Sequence, residues 1–141
     1  MTERAASRFE DDLLANWREN GGIVTIGPLA GHPLLVMTST GSKSGDARRA
    51  ILTFSRDGAA YVVAGTAGGS PTEPAWLRNV AADPDVTIEA EGRTFKATAA
   101  VTDPTERDRL WLQHVAALPH FADYPKQTGR VIPMVRLTPV G

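Results

Sequence analysis

The sequence has no cysteine. That excludes disulfides, thiol nucleophiles, iron–sulfur clusters and thiolate zinc sites, and it is compatible with a reducing cytoplasm. Net charge is nearly absent too, at −1 over 141 residues. A general nucleic-acid binder needs a basic face, so that class is set aside. There is no long apolar run, so neither a signal peptide nor a membrane span is expected. Catalytic signatures are missing as well. Without Gly-x-Ser-x-Gly there is no nucleophile elbow. His32, His114 and His120 lack the i, i+4 spacing of a helical zinc site. Asp11-Asp12 and Glu89/Glu91 read as solvated or strand-face charges, not as a glycosidase pair. Neither repeats nor low-complexity segments occur.

What remains is an ordinary globular composition, 42% apolar and 22% charged, in a chain sized for one domain spanning 1–141. Ser7 to Glu19 reads as a helix. Ser7 and Glu10 fit a capping box, Phe9, Leu13, Leu14 and Trp17 make an apolar stripe, and Asn20-Gly21-Gly22 stops it. The stripe is read as core packing. Its polar face mixes signs, so lying on a membrane surface is the weaker alternative. Ile23 to His32 is Gly/Pro-rich and irregular. Strands are expected at about 33–39, 49–55 and 61–65. Asp85 to Val101 is a hairpin turning at Glu91-Gly92, with Val86 and Ile88 and then Phe95, Ala97, Ala99 and Val101 on the buried face. Ser70-Pro71-Thr72-Glu73 opens a helix over 71–82, and Asp103-Pro104-Thr105-Glu106 opens another over 104–117. Leu110, Trp111, His114, Val115 and Leu118 form the inner face of the latter, which makes His114 a packed, hydrogen-bonded core residue. Phe121 to Gln127 reads as a short helix and Val131 to Thr138 as the last strand. About six short antiparallel strands with inserted helices suit a small barrel, mainly β with helices (α+β).

Thr38 to Arg49 dominates the chemistry. It joins two strands and carries five hydroxyls, two glycines and three cations against one carboxylate. Such a loop suits an anion: glycines turn backbone N–H groups inward, hydroxyls donate, and Lys and Arg supply charge. A solvated hairpin loop is the bland alternative. It is not a P-loop, since Lys43 lies between the glycines and a strand follows. A second glycine-rich turn, Gly65-Thr66-Ala67-Gly68-Gly69, precedes a helix whose N-terminus is electropositive. Its spacing is not that of a Rossmann fingerprint. Anion loops beside an apolar interior, with no nucleophile or metal set, suit chemistry that belongs to an organic cofactor.

Several segments together resemble the deazaflavin (coenzyme F420)-dependent nitroreductase family. They are Asn20-Gly21-Gly22, Pro33-Leu34-Leu35 through Gly41-Ser42-Lys43-Ser44-Gly45 to Arg48, Gly68-Gly69, and Pro74-Ala75-Trp76-Leu77-Arg78-Asn79. Asp83-Pro84-Asp85-Val86, Tyr124, Thr128-Gly129-Arg130 and Ile132-Pro133 complete them. The resemblance implies a split β-barrel of the FMN-binding type and a cytoplasmic F420H2-dependent oxidoreductase. Peripheral attachment at the inner face of the membrane, through the first helix, is a weaker alternative. The resemblance assigns Lys43, Ser44 and Arg48 to the coenzyme phosphate, with Thr40, Gly41, Ser42, Gly45 and Arg49 completing the loop. It places Thr66, Ala67, Gly68 and Gly69 along the ring, with Trp76 nearby. Thr66 and Tyr124 become the candidate catalytic residues, and Leu118, Phe121 and Tyr124 the substrate pocket. Relatives usually have Arg at the position of Ser42, so either a lower affinity for the coenzyme or compensation by Arg49 is expected. Some have Lys where Ala67 stands. Leu118 and Phe121 replace tyrosines of the nitroimidazole-reducing members, so an enone, an unsaturated lactone or a quinone is expected at least as readily as a nitro compound. The partners expected are F420 and a small molecule, in a monomer. FMN in the same barrel, or a non-catalytic binder of F420 or of an apolar ligand, stay open beside this reading.

Overall fold

The computed structural model describes residues 3–25, 30–66 and 72–140, with side chains from Glu10 onward. Helix α1 (Glu3–Glu19) is followed by β1 (Leu34–Thr40), β2 (Ala47–Thr53), β3 (Ser55–Asp57) and β4 (Ala60–Ala64). Next come α2 (Ala75–Ala82), the hairpin β5 (Asp85–Ala90) and β6 (Arg93–Val101), and α3 (Pro104–Ala117). A 3-10 turn (Pro119–Asp123), a short α4 (Tyr124–Thr128) and β7 (Met134–Pro139) close the chain.

All strand pairings are antiparallel, in the order β2-β1-β5-β6-β7-β4-β3. β2 and β3 stand at opposite ends of this order, yet only Phe54 separates them along the chain. They are one bent strand, whose first part pairs β1 and whose last part pairs β4. At the bend the Phe54 N–H donates to the Pro33 carbonyl at 3.0 Å, which carries the register with β1 one residue further before the strand turns to β4. The bend closes the sheet into a barrel, so the six strands expected are seven by hydrogen bonding.

Alternation along the strands assigns the faces. Leu35 and Met37 of β1 and Tyr61 and Val63 of β4 fill the barrel, with Ile88, Val135 and Leu137. The alternate β1 residues, Leu34 and Val36, pack outward on Leu13, Leu14 and Trp17 of α1. The alternate β4 residues, Val62 and Ala64, pack on Leu110, Leu118 and Phe121. Both faces of these strands are covered, which explains their unbroken apolar runs. Ion pairs fasten α1 to the barrel: Arg18 grips both Glu89 oxygens at 2.9 and 2.8 Å, and Arg49 meets Glu10 at 3.1 Å.

Some expectations shift. α1 starts at Glu3, so Ser7 lies inside the helix and does not cap it; the Phe9 side chain lies outside the described residues. α2 starts at Ala75, not 71, and its N-cap is Pro74 with no side-chain cap bond. Proline disfavours helical backbone in the residue before it, so Glu73 cannot continue a helix into Pro74; Ser70 and Pro71 lie outside the described residues. β7 begins at Met134, after Pro133. Val101 is exposed at the end of β6. Asp103 caps α3 as read, accepting from the Glu106 N–H at 2.9 Å. Among the described residues no helix is long and apolar enough to cross a membrane.

Candidate active site

The loop 41–46 between β1 and β2 is held in one shape. The Gly41 N–H donates to the Asp46 carbonyl at 2.7 Å, and the Gly45 N–H to the Gly41 carbonyl at 2.9 Å. Gly45 takes φ +74°, which favours glycine. At Gly41 the demand is space, because a Cβ there would stand 2.8 Å from Ser44 Oγ. That hydroxyl is engaged, accepting from the Asp46 N–H at 3.2 Å and from the Arg48 guanidinium at 3.3 Å. From α2 the buried Asn79 accepts the Ser42 N–H at 3.0 Å and ties the loop to the helix.

Between loop and helix lies a cavity of about 500 Å³, lined by Lys43, Ser44, Arg48, Arg49, Trp76 and Arg78 among others. Four cations therefore face one space. Arg49 is already paired with Glu10 and Asp11 of α1. Among the described residues Lys43, Arg48 and Arg78 have no carboxylate within ion-pair distance. Three unneutralised cations around a glycine-shaped loop make an anion site.

Trp76 and Ala50 also border a second cavity of about 450 Å³, so the two adjoin. This one is lined by Ile51, Leu52, Ala64, Thr66, Phe121 and Tyr124, with His32 and His120 at its edge. Arg130 fixes one of its borders, donating to the carbonyls of Thr66 at 3.2 Å and Thr72 at 3.5 Å, on either side of residues 67–71. His32 and His120 also line a third cavity of about 640 Å³ with Leu118.

The aromatic side of the second cavity is a run of ring contacts. His32 meets His120 at 5.0 Å between centroids, His120 meets Phe121 at 4.6 Å, and Phe121 meets Tyr124 at 5.2 Å. His114 lies edge-on to Phe121, fully buried, with Nδ1 at 2.6 Å from Ser55 Oγ. Burial, with the charge of His120 adding to it, holds its pKa down at about 4. It is the packed, hydrogen-bonded histidine that its helix position predicted. Burial and then His32 lower the pKa of His120 as well.

The structure brings together Gly41, Ser42, Lys43, Ser44, Arg48, Arg49 and Trp76 at one cavity, and Thr66, Phe121 and Tyr124 at the next. Leu118 shares a core cluster with Phe121 and Tyr124, but it lines the third cavity and not the second. Thr40 and Gly45 border a separate polar cavity with Asp83 and Asp85. Ala67, Gly68 and Gly69 lie outside the described residues. Arg49, expected to stand in for the arginine missing at Ser42, is held by α1, whereas Arg78 has no carboxylate partner among the described residues. The sequence reading left Arg78 and Asn79 without a role, although both lie on the helix that carries Trp76. His32 and His120 were missed as a pair because 87 positions separate them and only the fold joins them.

The family model for F420H(2)-dependent quinone reductase matches residues 12–139. The chain belongs to that family. It is 37% identical over 109 residues to an F420H(2)-dependent quinone reductase of Mycobacterium tuberculosis (strain ATCC 25618 / H37Rv), covering 75% of this chain and 73% of the relative. A solved F420-H2 dependent reductase (FDR-A) superimposes with a TM-score of 0.68 at 32% identity, over 74% of this chain and 93% of that one. A chain solved as a domain-swapped dimer gives a TM-score of 0.69 at 26% identity, over 96% and 99%. The chain is thus an F420-dependent reductase with a split-barrel fold, and F420 is its cofactor.

Proposed function

We propose that the family's activity runs in this chain as reduction of quinones and similar electron-poor carbonyl compounds, with the two adjoining cavities dividing the work. The observation that carries this reading is the junction at Trp76 of a cavity with three unneutralised cations and a largely apolar one. F420 has the matching halves, a phosphate with an acidic tail and a flat ring. Lys43, Arg48 and Arg78 hold the phosphate and tail, and Ser44 and Asn79 keep the loop in shape for them. Arg78 supplies the charge that relatives place at Ser42. Trp76 and Thr66 border the ring. Bound as F420H2, the coenzyme supplies a hydride. The protein supplies orientation and excludes water, so no protein nucleophile is needed. Phe121 and Tyr124 confine a flat substrate in the apolar cavity, and the Tyr124 hydroxyl is placed to hydrogen-bond its oxygen. Enones and lactones fit the same chemistry, with nitro compounds behind them because tyrosines are few here.

The monomer expected from the sequence gives way to a dimer as the assembly proposed, on the strength of the domain-swapped relative that spans nearly the whole chain. Light scattering on the eluted protein showing the mass of one chain would refute it.

Fluorescence titration with F420, with FMN in parallel, tests the cofactor reading. Saturable binding of F420 at micromolar concentration, with none of FMN, is the expected result. Tight FMN binding without F420 binding would keep the barrel and overturn the cradle.

A further inference from the structure

We infer that His32 and His120 form the proton-supplying wall of the substrate cavity, a role that rests on the reductase reading above. They come from the loop before β1 and from the 3-10 turn, and they meet at 5.0 Å on the border shared by the second and third cavities. No packing need explains two imidazoles in contact there, tilted 44° to each other: both retain solvent exposure, unlike the buried His114. His32 Nδ1 is buried and has no partner. An unpaired lone pair is milder than an unpaired N–H, which places the His32 proton on Nε2 and leaves that nitrogen to serve the cavity. His120 is the more exposed of the two, with access to protons from solvent.

Reduction of a quinone to a hydroquinone takes one hydride and one proton. The hydride from the reduced deazaflavin brings the electron pair, and negative charge develops on a substrate oxygen. An N–H bond of protonated His120 then breaks as an O–H bond forms at that oxygen, and the His120 imidazole, left neutral, regains its proton from solvent water. His32 holds the oxygen in place through Nε2–H. The pKa of His120 is lowered by burial first and by the neighbouring His32 second, so its proton is readily given up. General acids of this kind contribute about 10²–10⁴-fold.

The test uses the full chain and menadione as the probe. Without coenzyme, the ring Cε1–H resonances of His32 and His120 shift on adding menadione while that of His114 stays. Movement of the Phe121 and Tyr124 rings with both surface histidines unmoved would overturn the proposal. With F420H2, His120→Ala lowers kcat at least 10-fold while F420 affinity stays within twofold, and added imidazole restores turnover. His32→Gln raises KM more than it lowers kcat. Wild-type kcat/KM in the His32→Gln/His120→Gln double variant would sink the idea. If the wild-type chain binds no F420, the coenzyme reading fails, and the resonance shifts alone still decide whether the histidines touch the quinone.

Discussion

Lys43, Arg48 and Arg78 differ from Arg49 in that, among the described residues, no carboxylate neutralises them. Replacing any of the three by alanine is expected to weaken F420 binding by about 1.5–3 kcal/mol, the worth of a charged hydrogen bond. Arg49→Ala is expected to change it far less, because that side chain gives up α1 before it can serve a ligand. Fluorescence titration of the four variants checks the order, and equal losses at Arg49 and Arg78 would contradict it. Gly41→Ala is expected to weaken binding while the fold stays intact, since its methyl displaces the Ser44 hydroxyl that holds Arg48. Much of this was legible in the sequence. Lys43, Ser44 and Arg48 crowd one short loop, so their proximity is a matter of local spacing. Arg78 and the histidine pair were not legible, because tertiary structure brings Arg78 to the loop of the first cavity and joins His32 to His120 at the second.

At the scale of elements, the hairpin β5–β6 was readable because one buried face imposes a period of two on its residues. Val86, Ile88 and Ala97 point into the barrel as that period demands. The bend at Phe54 was not readable. Residues on both sides of it favour strand, and only the pairing partners change. The start of α2 was misplaced because a capping motif outweighed Pro74 in the sequence reading. Arg130 is the element-scale device of the site. It bonds the chain at the Thr66 and Thr72 carbonyls and so fixes a border of the second cavity. Lysine cannot reproduce a guanidinium that reaches two carbonyls. Arg130→Lys is therefore expected to raise the F420 dissociation constant several-fold. A wild-type dissociation constant in this variant would show that the two bonds do not shape the site.

For the whole molecule, acid should act in two stages with separate causes. An unfolded imidazole protonates near pH 6.5, whereas folded His114 does so only near 4, chiefly because it is buried. Between those values the unfolded chain binds a proton that the folded chain refuses, so stability falls as pH drops through that window, by up to about 1.4 kcal/mol per pH unit. The second stage lies lower. Asp57 and Glu106 are held below their usual carboxylate values, first by hydrogen bonds from Arg109 and then from Arg136. Both arginines contact both carboxylates, joining β3, α3 and β7. A depressed carboxylate stabilises the fold above its ordinary pKa, and that contribution is lost as pH falls through the folded value, here below about 4. His114→Gln keeps a hydrogen-bonding partner for Ser55 and removes the titration. Its melting temperature should decline less steeply than the wild-type value from pH 6.5 to 4.5, where the lowered pKa of His120 leaves a residual slope, and the two should fall together below that. Glu106→Gln should do the reverse, following the wild-type slope in the upper window and flattening in the lower. Melting curves across pH on the three proteins separate the stages, and a wild-type slope in His114→Gln between pH 6.5 and 4.5 would move the origin of the upper stage away from the buried histidine.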